Sequence, residues 1–405
     1  MIGVASLPLC QILLLGSLYI TQYLGLGFFM EALVAILRRE GVPLEQLGLV
    51  YLLAFFWVVR FLWSPFVDRF IAQRGGAYKG FLLFVQFILV LMLALISFLE
   101  IPQHLPLIFA ACLLFGFFSA TQSIATDALA FKLLSEENRG IGNSIKVSGN
   151  LLGHILGGGA ALVIYEYWGW SVSLYFIVLL TLLSFIQLLF FQEPQSRLIQ
   201  RADEVNFKAI WEFWRGARQK KWLYLLFLYP TGICMSYALI TPILVDAGWG
   251  LDRIGFIVHT LGTSMGVAGA LATGWMIRVW GRRRMLLSLA PIQALGVLML
   301  FLPLWGYHSE WIVFLSAGTI YLLYSPVMTL LSTLMMDRIS PKSPATEYAL
   351  QHSLLLLLGF VAVAIGLILA GKIGYQGVIL LSSLLCILSF FYSIQFYKDI
   401  FHERD

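Results

Sequence analysis

Charge is what this chain has least of. Of its 405 residues only 12% are Asp, Glu, Lys or Arg, while 60% are hydrophobic, and a water-soluble domain carries about twice that share of charge. So little charge cannot cover a surface that faces water, which excludes a secreted, nuclear or cytosolic catalyst. Period-two alternation is missing as well. Runs such as Phe81 to Leu99 are continuously apolar, which excludes a transmembrane barrel. The four cysteines, Cys10, Cys112, Cys234 and Cys386, lie apart in apolar stretches without CxxC or Cys/His spacing, so neither a disulfide frame nor a metal site is expected. The glycines Gly157, Gly158 and Gly159 follow no strand and precede no Gly-Lys-Ser/Thr, so they are not a phosphate loop and nucleotide-driven chemistry is unsupported. No Ser/His/Asp or paired-carboxylate arrangement implies an enzyme, and nothing implies a cofactor. A basic face with aromatic platforms is also lacking, so the net charge of +5 does not point to nucleic acid. No basic residue precedes the apolar run that starts at Leu7, which reads as a retained first helix rather than a cleaved signal.

What is present is apolar sequence in lengths that cross a bilayer, about 20 residues at a time. Cut at charge clusters and Gly/Pro turns, the chain yields twelve spans near 8–35, 47–66, 80–98, 105–130, 142–165, 171–191, 222–245, 254–277, 285–305, 311–336, 347–371 and 375–397. The expected fold is an all-α membrane protein of twelve transmembrane helices in two bundles of six, residues 1–191 and 222–405. Between them residues 192–221 form an amphipathic linker on the cytoplasmic surface, with Trp211 and Trp214 on a short helical run. With both termini cytoplasmic, the inner loops hold 20 Lys and Arg and the outer loops 4, the asymmetry that the positive-inside rule demands. The halves also repeat. The stretch Gly41 to Gly48 and the stretch Gly248 to Gly255 match at one offset, as two halves duplicated in parallel would.

Ionisable side chains inside the spans are few, and each is a candidate functional group because a charge in hydrocarbon costs several kcal/mol. They are Glu31, Arg60, Asp127, Lys146, His154, His259 and His352. Counting ~1.5 Å per residue puts Arg60, Asp127 and Lys146 roughly 9–12 Å from the cytoplasmic surface, two cations and one anion at one depth. Two readings stand. In one, Asp127 pairs with Lys146 or Arg60 and the spare cation attracts an anionic substrate group; in the other, the cluster only orients helices or closes a gate. Arg60 and Lys146 are thus candidates for substrate contact, and Asp127 for a protonation site. Glu31 is either a proton carrier or an interfacial carboxylate, and His352 beside Gln351 titrates in the range that proton coupling uses. Gln22, Tyr23, Gln122 and Asn150 would supply neutral hydrogen bonds in a polar-lined first half, where Tyr237, Tyr321 and Tyr324 are among the few polar groups of the second. Gly149, Gly153 and Gly157 have the spacing that lets a neighbouring helix approach closely.

Two bundles of this kind are the organisation of the major facilitator superfamily, and particular words of the sequence sharpen the likeness. Arg60–Arg69 reads RFLWSPFVDR, Ser119–Ala128 reads SATQSIATDA and Glu136–Gly140 reads EENRG, with weaker echoes in LITP from Leu239 and TEYAL from Thr346. These resemble the peptide/acetyl-coenzyme-A transporter branch, which includes the AmpG-type muropeptide permeases and the smaller siderophore permeases of the rhizobactin/pyochelin type. The resemblance implies a monomeric, multi-pass secondary transporter of the bacterial inner membrane, working by alternating access and proton coupling, with Asp68, Arg69 and Arg139 at an inner gate. Ser123, Leu151 and Pro230 stand where the muropeptide pattern has an acid and two bases, and Lys146 stands where it is uncharged. Those departures and the compact length resemble the siderophore permeases more, which implies import of an iron chelate or its free anionic ligand; the alternative is a muropeptide permease for cell-wall recycling.

Overall fold

The computed structural model of the chain describes residues 8–39, 50, 52–101, 103–194, 207–215, 217–254, 260–307 and 309–400. His259, the stretch Gly41 to Gly48 and residues 195–206 of the linker lie outside the described residues. Among the described residues there is no strand. The helices are α1 (Leu9–Arg39), α2 (Leu53–Val59, running into a tighter turn at Arg60–Leu62), α3 (Ser64–Gln73), α4 (Lys79–Ile96), α5 (Leu105–Leu133), α6 (Arg139–His154), α7 (Ala161–Phe190), α8 (Lys208–Phe213), α9 (Ala217–Asp246), α10 (Thr263–Val297), α11 (Glu310–Met336) and α12 (Pro344–Ile400).

Among the described residues, 8 helical stretches are long and apolar enough to cross a membrane. Three of them are interrupted by a kink. Within α7, α10 and α12 the chain leaves helical geometry at Gly169 (φ 80°), Gly281 (φ 79°) and Gly374 (φ 74°), a backbone region that only glycine enters without strain. These turns separate the expected spans five and six, eight and nine, and eleven and twelve. Left-handed glycines recur between the halves as well: Gly76 (φ 77°) and Gly281 (φ 79°), and Gly169 (φ 80°) and Gly374 (φ 74°), are each 205 positions apart, close to the 207 that separates the stretches beginning at Gly41 and Gly248.

The pattern of burial is that of a protein dissolved in lipid. The most apolar of the long stretches, Pro344–Gln395, is also the least buried, with 17% of its most apolar window inside. Water would reverse that order. Large apolar side chains such as Phe98, Phe190, Trp275, Leu380 and Phe391 stand exposed, as they do where acyl chains are the solvent. Hydroxyls inside the helices bond back to the preceding turn, as Thr181, Ser236 and Thr273 do to the carbonyls of Ile177, Gly232 and Gly269, so they add no unpaired donor to the membrane.

Two compact units result. Unit 1 comprises residues 1–138, 149–210 and 338–353; unit 2 comprises residues 139–148, 211–337 and 354–405. In unit 1, α1 packs along the glycine face that follows α6. A Cβ on Gly153 would lie 2.7 Å from the Ile20 carbonyl oxygen, and one on Gly157 only 1.9 Å from that of Leu24. The small-residue spacing read from the sequence thus marks a true backbone contact. Unit 2 is built around the long α10–α11 pair, with Gly269 and Gly296 facing Leu322 and Leu323. Cys112, Cys234 and Cys386 are buried, whereas Cys10, in the first turn of α1, is exposed.

Candidate functional site

The centre of unit 1 is a buried ion pair. Arg60 sits in the tight turn that ends α2, and its guanidinium lies 3.3 Å from the Asp127 carboxylate of α5, with side-chain exposures of 0% and 1%. The break from α-helix into that turn re-aims one side chain out of the helix register. Around the pair, Tyr19 of α1 donates its hydroxyl to Asp127 at 3.3 Å, Arg60 also donates to Ser123, and the guanidinium lies 5.5 Å from the centre of the Trp57 ring. Of the two cations expected near Asp127, Arg60 is in ion-pair contact with it. Lys146, also buried at 3%, belongs to unit 2.

Hydrogen-bonding capacity is left over beside this pair. Gln22 is fully buried and both its amide atoms lack a partner, as do Arg60 Nε and Gln122 Oε1. Gln122 reaches Thr21 at 3.4 Å with its other amide atom, and Ser119 donates to the Gln22 carbonyl at 2.9 Å. Native interiors seldom leave such groups unmet, and where they do a ligand or water is the usual complement. Tyr23 continues the polar patch toward Trp57, ring centroids 4.7 Å apart. Asn150 is half-buried on α6. His352 also falls in unit 1, stacked on Tyr348 at 6.0 Å, and its neighbour Ser353 reaches the Trp57 carbonyl at 3.5 Å.

Glu31 is placed apart from this cluster, 2.9 Å from His154 Nδ1. In unit 2, Tyr237 meets Tyr321 by a 3.1 Å hydroxyl contact and stacks on Tyr324.

Beyond the apolar spans, the three expected gate residues have different fates. Asp68 accepts from the backbone N–H groups of Ala345 and Thr346 at 3.1 and 2.8 Å and from the Thr346 hydroxyl at 2.6 Å. It therefore satisfies the first turn of α12 from a distance of 277 residues, where Pro344 has no N–H to offer. Arg139 donates to Asp337 at 2.9 Å, and Arg282 binds the same carboxylate at 2.9 Å. Arg69 is exposed. Asp337 had no signal in the sequence beyond its place at the end of a span, and Trp57 read only as one more aromatic. Glu193, at the start of the linker, receives the backbone N–H groups of Tyr78 and Lys79 and the Lys132 ammonium at 2.7 Å, so it caps α4.

Burial pushes the Asp68 carboxyl up to about 7, against the opposing pull of the Thr346 and Ala345 donors and with Glu347 adding to the rise. A raised acid favours this arrangement in its protonated form. Its contribution is complete below the ordinary carboxyl range near 4 and is lost as pH rises through about 7. Hydrogen exchange at the Ala345 and Thr346 amides, corrected for intrinsic rates, should therefore lose protection between pH 5 and pH 8, and Asp68→Asn should remove that dependence. Equal pH dependence in the variant would show that another group titrates.

Helices this apolar, arranged in two units with ionisable and amide side chains gathered inside one of them, define a polytopic membrane protein. The chain belongs to the major facilitator superfamily, whose family model matches residues 15–362. It is 30% identical over 276 residues to the anhydromuropeptide permease of Escherichia coli K12, a match covering 67% of this chain and 56% of that relative; the aligned part is thus little more than half of the relative's length. A Rickettsia prowazekii protein provisionally named the transporter AmpG 3 is 26% identical, with 86% and 87% of the two chains covered. Among solved structures, the human organic anion transporter TETRAN superposes with a TM-score of 0.72 at 17% identity over 95% of this chain and 98% of its own. The Escherichia coli fucose:proton symporter gives 0.70 at 14% identity over 96% and 98%. These two likenesses show the fold alone. The AmpG-type resemblance read from the sequence is thereby matched by its relatives, whereas no relative named here is a siderophore permease.

Proposed function

We propose that this chain imports an amphipathic, anionic fragment of peptidoglycan, of the anhydromuropeptide kind, across the bacterial cytoplasmic membrane by alternating access. The observation that carries the reading is the 30% identity over 276 residues to a permease of that name. The chemistry of unit 1 supports it. A peptide-bearing aminosugar presents carboxylates and acetamido groups, and the patch offers one guanidinium with an unmet Nε and two glutamines with unmet amide atoms. Arginine matches a carboxylate with two parallel donors, and an amide matches an acetamido group with one donor and one acceptor. Arg60 and Asp127 exchange partners in this scheme: the substrate carboxylate takes the guanidinium, and Asp127 keeps Tyr19. Asn150 and Tyr23 of the same unit are further contacts, and Lys146 of unit 2 is a second cationic candidate. Asp68 and Arg69 in unit 1, and Arg139 with Asp337 in unit 2, are the gate candidates of their own units. The iron-chelate reading draws no support from the relatives and is set aside.

Spheroplasts of a strain without its own permease, expressing this chain, should accumulate radiolabelled anhydromuropeptide well above vector controls and should not accumulate a ferric carboxylate siderophore. Accumulation of the siderophore alone would replace the proposal with its rival.

A further inference from the structure

Two departures from regular helix face one another in unit 1. Phe28–Leu33 within α1 and Ile155–Ala160 after α6 each form one π-helical turn, and the two turns pack together. A π turn is intrinsically poorer than α-helix and is found mostly where a side chain has to be re-aimed for function. Here the pair of turns sets Glu31 against His154, with the carboxylate 2.9 Å from Nδ1. Glycine makes the room on both sides. A Cβ on Gly158 would lie 2.0 Å from the Glu31 carboxylate oxygen, and one on Gly27 would lie 2.9 Å from the His154 Cα.

The side chains are 52% and 33% exposed, in contrast to the sealed Arg60–Asp127 pair. Both lie well inside apolar stretches, eight residues before Arg39 and twelve before Glu166. A charged group facing acyl chains there would cost several kcal/mol, so the exposed side of the pair faces water. From His154 a short aromatic path leads to the candidate site. The Tyr23 ring is 5.9 Å away, Trp57 is 4.7 Å beyond it, and the Arg60 guanidinium is 5.5 Å from the Trp57 centre. The charged groups that bear on this path are Arg60 and Asp127, both felt at Tyr23. At the far end of the same elements Arg39 and Glu166 engage each other, and Arg38 lies two turns past Glu31.

We propose that Glu31 and His154 form the proton-carrying pair of this transporter, taking one proton from water between carboxylate and imidazole and releasing it to water when the two separate, in step with occupancy at Arg60. The coupling to cargo rests on the reading under Proposed function; the pairing itself does not. An imidazole and a carboxylate within hydrogen-bond distance can hold one proton between them, and histidine is the side chain most used for that purpose.

Infrared pH titration of the purified full chain tests the pair without any cargo. A carboxyl band should vanish in Glu31→Gln, and its midpoint should move by about one pH unit or more, a tenfold change in proton affinity, in His154→Gln. Glu31→Asp, which withdraws the carboxylate from His154 without removing its charge, should move the midpoint likewise and serves if His154→Gln does not fold. In liposomes with anhydromuropeptide as probe, uptake driven by a pH gradient should fall about tenfold or more in Glu31→Gln and His154→Gln, while exchange of labelled for unlabelled probe, which needs no net proton, should persist. A Glu31 band unmoved in His154→Gln and Glu31→Asp, or gradient-driven uptake equal to wild type, would overturn the proposal. If the wild type takes up no anhydromuropeptide, the cargo reading fails and the infrared result still decides the pair.

Discussion

Arg60→Met should abolish uptake and lower the stability of the detergent-solubilised protein by about 3–5 kcal/mol, the usual cost of breaking a buried ion pair from one side. The reason lies in the surroundings. Asp127 is 1% exposed and loses the guanidinium 3.3 Å away in this variant, while the Tyr19 hydroxyl, also at 3.3 Å, carries no charge to replace it. The double variant Arg60→Met/Asp127→Leu removes both charges and should recover most of that stability, since an apolar pair of similar volume replaces the ionic one. Transport should stay lost. Thermal unfolding and uptake measured on the same preparations separate the two roles. A double variant that folds and transports would make the pair a brace between α2 and α5 and nothing more.

Gly157→Ala carries the second large effect. Its Cβ would lie 1.9 Å from the Leu24 carbonyl oxygen, which is backbone and cannot rotate away. The α1 backbone must then move, at a cost of about 1–3 kcal/mol or more, and the neighbouring π turns move with it. Folded yield and unfolding temperature should both fall. Gly159→Ala is the control, because nothing lies within 4 Å of its added carbon; it should change stability by no more than about 0.5 kcal/mol. Equal behaviour of the two variants would mean that α1 and the stretch after α6 are not in backbone contact.

Much of this architecture was legible along the chain. The apolar stretches gave the helices, the kinks at Gly169, Gly281 and Gly374 fall between expected spans, and the glycine spacing from Gly149 to Gly157 marked a close helix contact. Arg60, Asp127, Gln22 and Gln122 were legible as candidates because polar groups are rare in such spans. Other pairings were not legible. Asp337, which holds both Arg139 and Arg282, had no local pattern to single it out, and Glu31 and His154 were each legible singly but not as a pair.

The sequence by itself determined that this chain lives in a membrane, because its apolar excess leaves no other solvent, and that it is built from helices, because backbone groups in lipid must be satisfied within their own segment. It also gave an expected depth for Arg60, Asp127 and Lys146, by counting residues along a helix. Only the tertiary structure decided which charges meet. Arg60 finds Asp127 across 67 positions, Glu31 finds His154 across 123, Arg139 finds Asp337 across 198 and Asp68 finds the start of α12 across 277. Such pairings depend on how helices are rotated and tilted against one another, which side-chain packing sets and the spacing along a single helix does not contain.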